Sequence, residues 1–203
     1  MKKVLNALGL MLAVLIMLAG CGGKIRYPSY YTLNLPPAPD PPAQENVGTS
    51  IAVREFQSPA YLRQGPIVYR TTPQEIGFYE YHRWAEDPRM LVTSTVLDHL
   101  RASGNFSLVS MYNGHPDIDY VFSGRLEKLE EVDSDTGVKV EVAMSAQITT
   151  VATGAIVWSN GVSEVGTVSQ RNIAGVVSQM NRTLELAINK LLSTVPAPLV
   201  RNN

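Results

Sequence analysis

With a single cysteine, Cys21, the chain can form no internal disulfide, so its fold must hold by packing even where disulfides are permitted. Histidine is scarce too. His82, His99 and His115 are the only three, and none lies at metal-ligand or catalytic-triad spacing from another. Glycine-rich phosphate loops, a Gly-x-Ser-x-Gly elbow and zinc motifs are absent. No basic excess exists: 17 Lys and Arg stand against 18 Asp and Glu. Nucleic acid and anionic membrane surfaces, which need a basic patch, find none in the composition. By these residues the chain reads as a non-enzyme with no metal site.

An N-terminal apolar run is present. After Lys2 and Lys3, residues Val4 to Gly20 form about 17 positions without charge, short of the roughly 20 that a membrane-spanning helix needs. A basic start, an apolar middle and small residues before a cleavage point have the shape of a secretory signal. Here Ala19 and Gly20 are the small residues, and Cys21 follows. A lone cysteine is usually a small buried hydrophobe, but a core position is not expected between such a run and Gly22-Gly23. Leu18-Ala19-Gly20-Cys21 resembles a bacterial lipobox. That resemblance implies cleavage between Gly20 and Cys21 and a covalent diacylglycerol and N-acyl chain, palmitate included, on Cys21. The competing reading is an uncleaved N-terminal anchor. Both place the rest of the chain outside the cytoplasm.

Cleavage removes 20 of 203 residues and leaves 183, with 15 basic against 18 acidic groups, a net charge of −3. That length suits one domain with a real core. The expected organisation is a signal peptide over 1–20, a lipidated tether over 21–29, a folded domain over 30–195 and a tail over 196–203.

Tyr30 to Leu35 alternates and is aromatic, so it predicts a short strand. Five prolines within residues 36–42 predict a semi-rigid polyproline-like connector. A strand follows over Ser50 to Phe56, then a hairpin over 66–81 turning at Thr71-Thr72-Pro73-Gln74. Asp87-Pro88 supplies an N-cap and a first-position proline for a helix running to about Ala102, with Val92, Val96, Leu97 and Leu100 inward and Gly104 near its end. Phe106 to Val109 is a short strand, and Asn113 to Pro116 a turn.

Residues 119–132 begin as a buried strand carrying Tyr120, Phe122 and Leu126 on one face. Strict alternation of Val138, Val140, Val142, Met144, Ala146 and Ile148 with polar or small residues marks a strand with one face on the core. Thr153-Gly154 turns into Ala155 to Val165, with Ile156 and Trp158 assigned to one face, which completes a three-stranded antiparallel meander. Ile173, Val176, Val177, Met180, Leu184, Ala187, Ile188 and Leu191 recur at helical spacing, and Pro196 and Pro198 stop that helix. The fold class is therefore α+β: a largely antiparallel sheet with two main helices on one face.

Two clusters invite a chemical reading. His115-Pro116-Asp117-Ile118-Asp119 is expected to be a polar turn. Glu127, Glu130, Glu131, Asp133 and Asp135 are expected to be a solvated strand end, since the calcium-loop pattern is absent.

Pro59-x-Tyr61-Leu62, Ile67-Val68-Tyr69-Arg70 and Tyr81-x-x-Trp84-Ala85-Glu86, after a lipobox and Tyr30-Tyr31-Thr32-Leu33, resemble the ABC-type transport auxiliary lipoproteins, the PqiC-like family. The resemblance spans about residues 27–195. It implies an outer-membrane lipoprotein facing the periplasm, with no catalysis of its own. Its implied partners are an MCE-domain protein and an ABC permease and ATPase, with which it moves lipids between the two membranes; a homo-oligomeric ring is one form it could take there, since a single domain of this size cannot enclose a channel. Gly22 in place of aspartate after the lipidated cysteine agrees with outer-membrane sorting.

Tyr61, Leu62, Arg70 and Trp84 are candidate partner-binding residues, and for the large aromatics of this segment two readings stand. Trp84 and Tyr69 either close the core beside the first helix, or the hairpin and the 60–62 loop form a partner-docking edge, since aromatics beside Arg63, Arg70 and Arg83 match interface hot spots. A stand-alone periplasmic lipid- or substrate-binding lipoprotein is the alternative function, and it would need an apolar cavity. A lipoprotein hydrolase would need a nucleophile and base that the spacing does not offer.

Overall fold

The computed structural model describes residues 26–38, 48–114, 117–134, 137–196 and 199. The signal segment, Gly20, Cys21, most of the tether and most of the proline connector lie outside them, as do His115, Pro116, Asp135 and most of the tail.

Eight strands form one sheet. In chain order they are β1 (Ser29–Tyr31), β2 (Ser50–Val53), β3 (Pro66–Thr72), β4 (Glu75–Trp84), β5 (Leu108–Met111), β6 (Tyr120–Ser134), β7 (Gly137–Thr150) and β8 (Ile156–Thr167). A 3-10 turn spans Ala60–Arg63. Helix α1 covers Pro88–Ala102 and α2 covers Ile173–Leu192.

Strand β6 is the spine. One side pairs along its whole length with β7, which pairs with β8, and this is the expected meander. Its other side is shared: its start pairs with β2, and β2 with β5, while its end pairs with β3, which leads through β4 to β1. The long ladders are antiparallel, because strands joined by tight turns must reverse. The ladders β1–β4, β2–β5, β2–β6 and β3–β6 are short and parallel. No turn residue announces them, since each joins strands separated by other elements.

The predicted inward faces hold. Val140, Val142 and Ile148 of β7 are fully buried, and Met180, Leu184, Ala187 and Leu191 of α2 with them. Val92, Val96, Leu97 and Leu100 of α1 join the same core. Asp87 caps α1 by accepting from Arg89 N–H at 3.1 Å. Asn172 caps α2 by accepting from Gly175 N–H at 2.8 Å. Such caps satisfy orphan amides of the first turn. Thr93 of α1 ties helix to sheet: its Oγ1 donates to Arg89 O at 2.7 Å and accepts from Phe56 N–H at 3.0 Å.

Four local expectations shift. Strand β1 ends at Tyr31, although Leu33 is still buried beneath it, where Asn34 N–H donates to Asn181 Oδ1 of α2 at 2.6 Å. Strand β2 ends at Val53, and Phe56 packs into the core beyond it. Strand β5 starts two residues later than expected, at Leu108, because Phe106 leaves the ladder to enter the core. Ile156 is 58% exposed whereas Trp158 stacks on Phe122 at 5.7 Å. An irregularity in the β7–β8 ladder at that point adds one residue and breaks the alternation.

Candidate functional site

Two of the residues singled out from sequence, Tyr61 and Arg70, meet on the sheet face opposite the helices, where β3, β6 and β7 run side by side. A bulge builds this site. Between Leu126 and Lys128 the β6–β7 register shifts by one residue, with Glu127 as the extra position. Leu126 and Leu129 are therefore both fully buried although an odd number of residues apart. The same switch turns Lys128 and Glu130 onto the outer face, because side chains alternate along a strand.

Glu130 is completely buried there, and Arg70 of β3 covers it. Arg70 Nε donates to Glu130 Oε1 at 2.8 Å and Nη2 to Oε2 at 3.1 Å, a two-pronged pair. A third bond, Arg70 Nη1 to Pro73 O at 2.7 Å, fastens the hairpin tip. Hydrogen bonding to Glu130 holds the guanidinium above its ordinary range, against an opposing effect of burial. Beside it Lys128 Nζ donates to Glu141 Oε1 at 2.8 Å, and that bond raises the ammonium. Tyr61 Oη donates to Glu127 O at 3.1 Å, and Ser145 Oγ to Glu127 Oε1 at 2.6 Å. Burial, then the Glu130 charge, push the Tyr61 phenol up. A groove of 480 Å³ opens alongside, lined by Arg70, Pro73, Lys128, Val132 and Glu141 among others.

Of the four proposed docking residues, only Tyr61 and Arg70 reach this surface. Leu62 and Trp84 are buried, at 3% and 5% exposure. The acidic run is not a solvated strand end as a whole. Glu130 and Glu131 are both buried, one on each face, and each has a partner. The broken leucine spacing, Leu126 to Leu129, is the sequence signal that locates the bulge and hence the outer-face Glu130 and the core-facing Glu131.

On the core side Tyr79 Oη donates to Glu131 Oε2 at 2.7 Å. Tyr79 also packs on Tyr69 at 5.1 Å and on His82 at 5.6 Å, and His82 Nδ1 meets Tyr31 Oη at 3.0 Å. Burial foremost raises the Glu131 carboxyl above the usual range, partly offset by the Tyr79 bond. The Tyr79 phenol is pushed up by burial and then by that same bond. A carboxyl raised in the folded state binds its proton there more readily than in the unfolded chain. Its contribution to stability therefore falls as pH climbs through the raised value. Glu131→Gln keeps an acceptor for Tyr79 without the charge. Thermal melts from about pH 4 to about pH 7 should show the variant gaining on the parent as pH rises, and a constant difference would refute this.

Among the described residues, no group of three or more His, Cys, Asp or Glu side chains is placed to hold a metal ion. His99 instead bonds Thr95 O at 2.9 Å through Nδ1. No described helix is long and apolar enough to cross a membrane.

Among solved structures, the fold resembles a Xanthomonas campestris protein of the DUF330 family at TM-score 0.69 and 18% identity, covering 81% of this chain and 92% of that one. An uncharacterized protein matches at TM-score 0.64 and 13% identity, covering 84% of this chain and all of the other. No curated protein matches by sequence. Residues 31–191 match the family described as the ABC-type transport auxiliary lipoprotein component, a stretch running from the end of β1 to the last turn of α2. The chain belongs to the ABC-type transport auxiliary lipoprotein component family.

Proposed function

We propose that this chain is a lipid-anchored accessory subunit of an MCE/ABC-type lipid transport system, held in the outer membrane on its periplasmic face. It docks an MCE-domain partner, and through it an ABC permease and ATPase, so that lipid passes between the two membranes. The observation that carries this reading is the family match across nearly the whole folded domain. The family is one of transport auxiliaries rather than enzymes. The Leu18-Ala19-Gly20-Cys21 motif supports the anchor. One acyl chain holds a protein only marginally, whereas two or more, at about 0.8 kcal/mol per buried methylene, hold it stably. Docking is assigned to the outer sheet face around Tyr61 and Arg70, where aromatic and guanidinium groups lie together.

Cross-linked capture of the full-length protein from membranes tests the partnership. Recovery of an MCE-domain protein and permease is the expected result; recovery of neither would overturn it. Cys21→Ala should abolish labelling by radioactive palmitate, and a variant still labelled would refute the lipobox. A second reading, the stand-alone carrier, rests on the 480 Å³ groove beside Arg70. Lipid co-purifying with the monomer would favour it.

A further inference from the structure

Among the described residues strand β8 is a free edge. It pairs there with β7 alone and runs for 12 residues, whereas the strands at the other ends of the sheet, β1 and β5, have 3 and 4. Long unpaired edges present rows of amide donors and acceptors, which proteins normally blunt with charge, proline or a cover. Here Glu164 is the strand's only charged side chain, and Lys190 already neutralises it at 2.6 Å.

The order of side chains along this edge is symmetric. Exposure alternates strictly from Val157 onward. From Val157 to Val165 the exposed residues read Val157, Ser159, Gly161, Ser163, Val165, the same in both directions about Gly161, with Thr167 exposed beyond that stretch. Val165 is 61% exposed and Val157 37%.

Among the described residues nothing requires glycine at position 161. Its φ is not in the left-handed region. A Cβ there would meet nothing nearer than Met144 O at 3.8 Å. Gly124 and Gly166, by contrast, lie against Phe56 and against Gln179 and Thr183, which leave no room for a Cβ. A strand-interior glycine weakens a strand and often marks where another backbone comes close. Its N–H is held by Asn160 Oδ1 of the preceding residue at 2.8 Å, a side-chain acceptor that an incoming carbonyl can replace.

We propose that β8 pairs antiparallel with β8 of a second copy of this chain, on a two-fold axis at Gly161. Gly161 then faces its own symmetry mate and exchanges N–H and C=O bonds with it, as Asn160 gives way. Ser159 lies opposite Ser163 of the other copy, and Val157 opposite Val165. Glu164 meets Trp158, so no charge faces its like, which a self-pairing strand requires. Eight strands from each copy make one sheet of sixteen. The axis is normal to the sheet, so both outer faces, each with its Arg70–Glu130 pair, look the same way.

Cysteine pairs in the full chain, purified in detergent, test the register. Opposed residues of an antiparallel pair lie about 5.5 Å or less apart at Cα, within disulfide reach. Ser159→Cys with Ser163→Cys should give a disulfide dimer on mild oxidation. Either substitution alone should stay at the background set by the parent, whose only cysteine is Cys21. Val165→Lys added to the double variant should return cross-linking to background with an unchanged circular dichroism spectrum. Equal cross-linking of the single and double variants, a double variant that stays uncross-linked, or insensitivity to Val165→Lys would each overturn the proposal.

Discussion

Arg70→Ala is expected to destabilise the domain by about 3–5 kcal/mol, the usual cost of removing one partner of a buried ion pair. The cause is what remains rather than what is lost. Glu130 is fully buried on a strand flanked by β3 and β7, and in the variant its carboxylate keeps no guanidinium to offset its desolvation. Lys128, on the same face, is already bonded to Glu141. Arg70→Ala also frees the hairpin tip by deleting the bond to Pro73 O. A double variant, Arg70→Met with Glu130→Leu, should recover most of the loss, because apolar side chains of similar volume often replace a buried pair at little cost. Urea unfolding of the three proteins is the measurement. A small effect of the single change, or a double variant as unstable as the single, would show that Glu130 is solvated and that the pair is not what orders the hairpin.

Trp84→Ala should cost roughly 3–5 kcal/mol and lower the melting temperature by roughly 6–20 °C. The indole is 5% exposed and sits where β4 meets β1, with Trp84 N–H donating to Gly65 O at 2.7 Å and the next amide, Ala85 N–H, to Tyr31 O at 2.8 Å. Truncation leaves a cavity beneath the N-terminal strand. Were Trp84 instead a direct docking residue, the fold would survive and capture of the partner would fail. Differential scanning calorimetry together with the membrane capture assay separates the two. An unchanged melt with unchanged capture would refute both roles.

Arg70 and Trp84 stand out in the same sequence segment but do different work. Both are large residues in a charged segment; sequence alone left Trp84 between a core role and a docking role and gave Arg70 a docking role. The parallel pairing of β1 with β4 buries the tryptophan, and the bulge at Glu127 gives the arginine a buried carboxylate to cover. Neither event is written near the residue it affects: Arg70 and Glu130 are 60 positions apart. The acidic run shows the same limit. Its composition suggests water, and Glu130 and Glu131 are buried because β3, from the other half of the chain, pairs with β6 and its hairpin brings Arg70 to one and Tyr79 to the other.

What the sequence determined by itself is whatever depends on near neighbours. Asp87-Pro88 starts a helix, the valine alternation from Val138 makes a two-faced strand, the stripe from Val176 to Leu191 makes an amphipathic helix, and tight turns make hairpins antiparallel. Each of these follows from capping, side-chain period or turn geometry within a few residues. Tertiary structure alone decided the parallel ladders, the face to which each glutamate turns, the burial of Trp84 and the long edge that β8 leaves unpaired among the described residues. Those outcomes depend on which distant backbone supplies the next set of hydrogen bonds, and that is settled only when the whole sheet and its two helices close on one core.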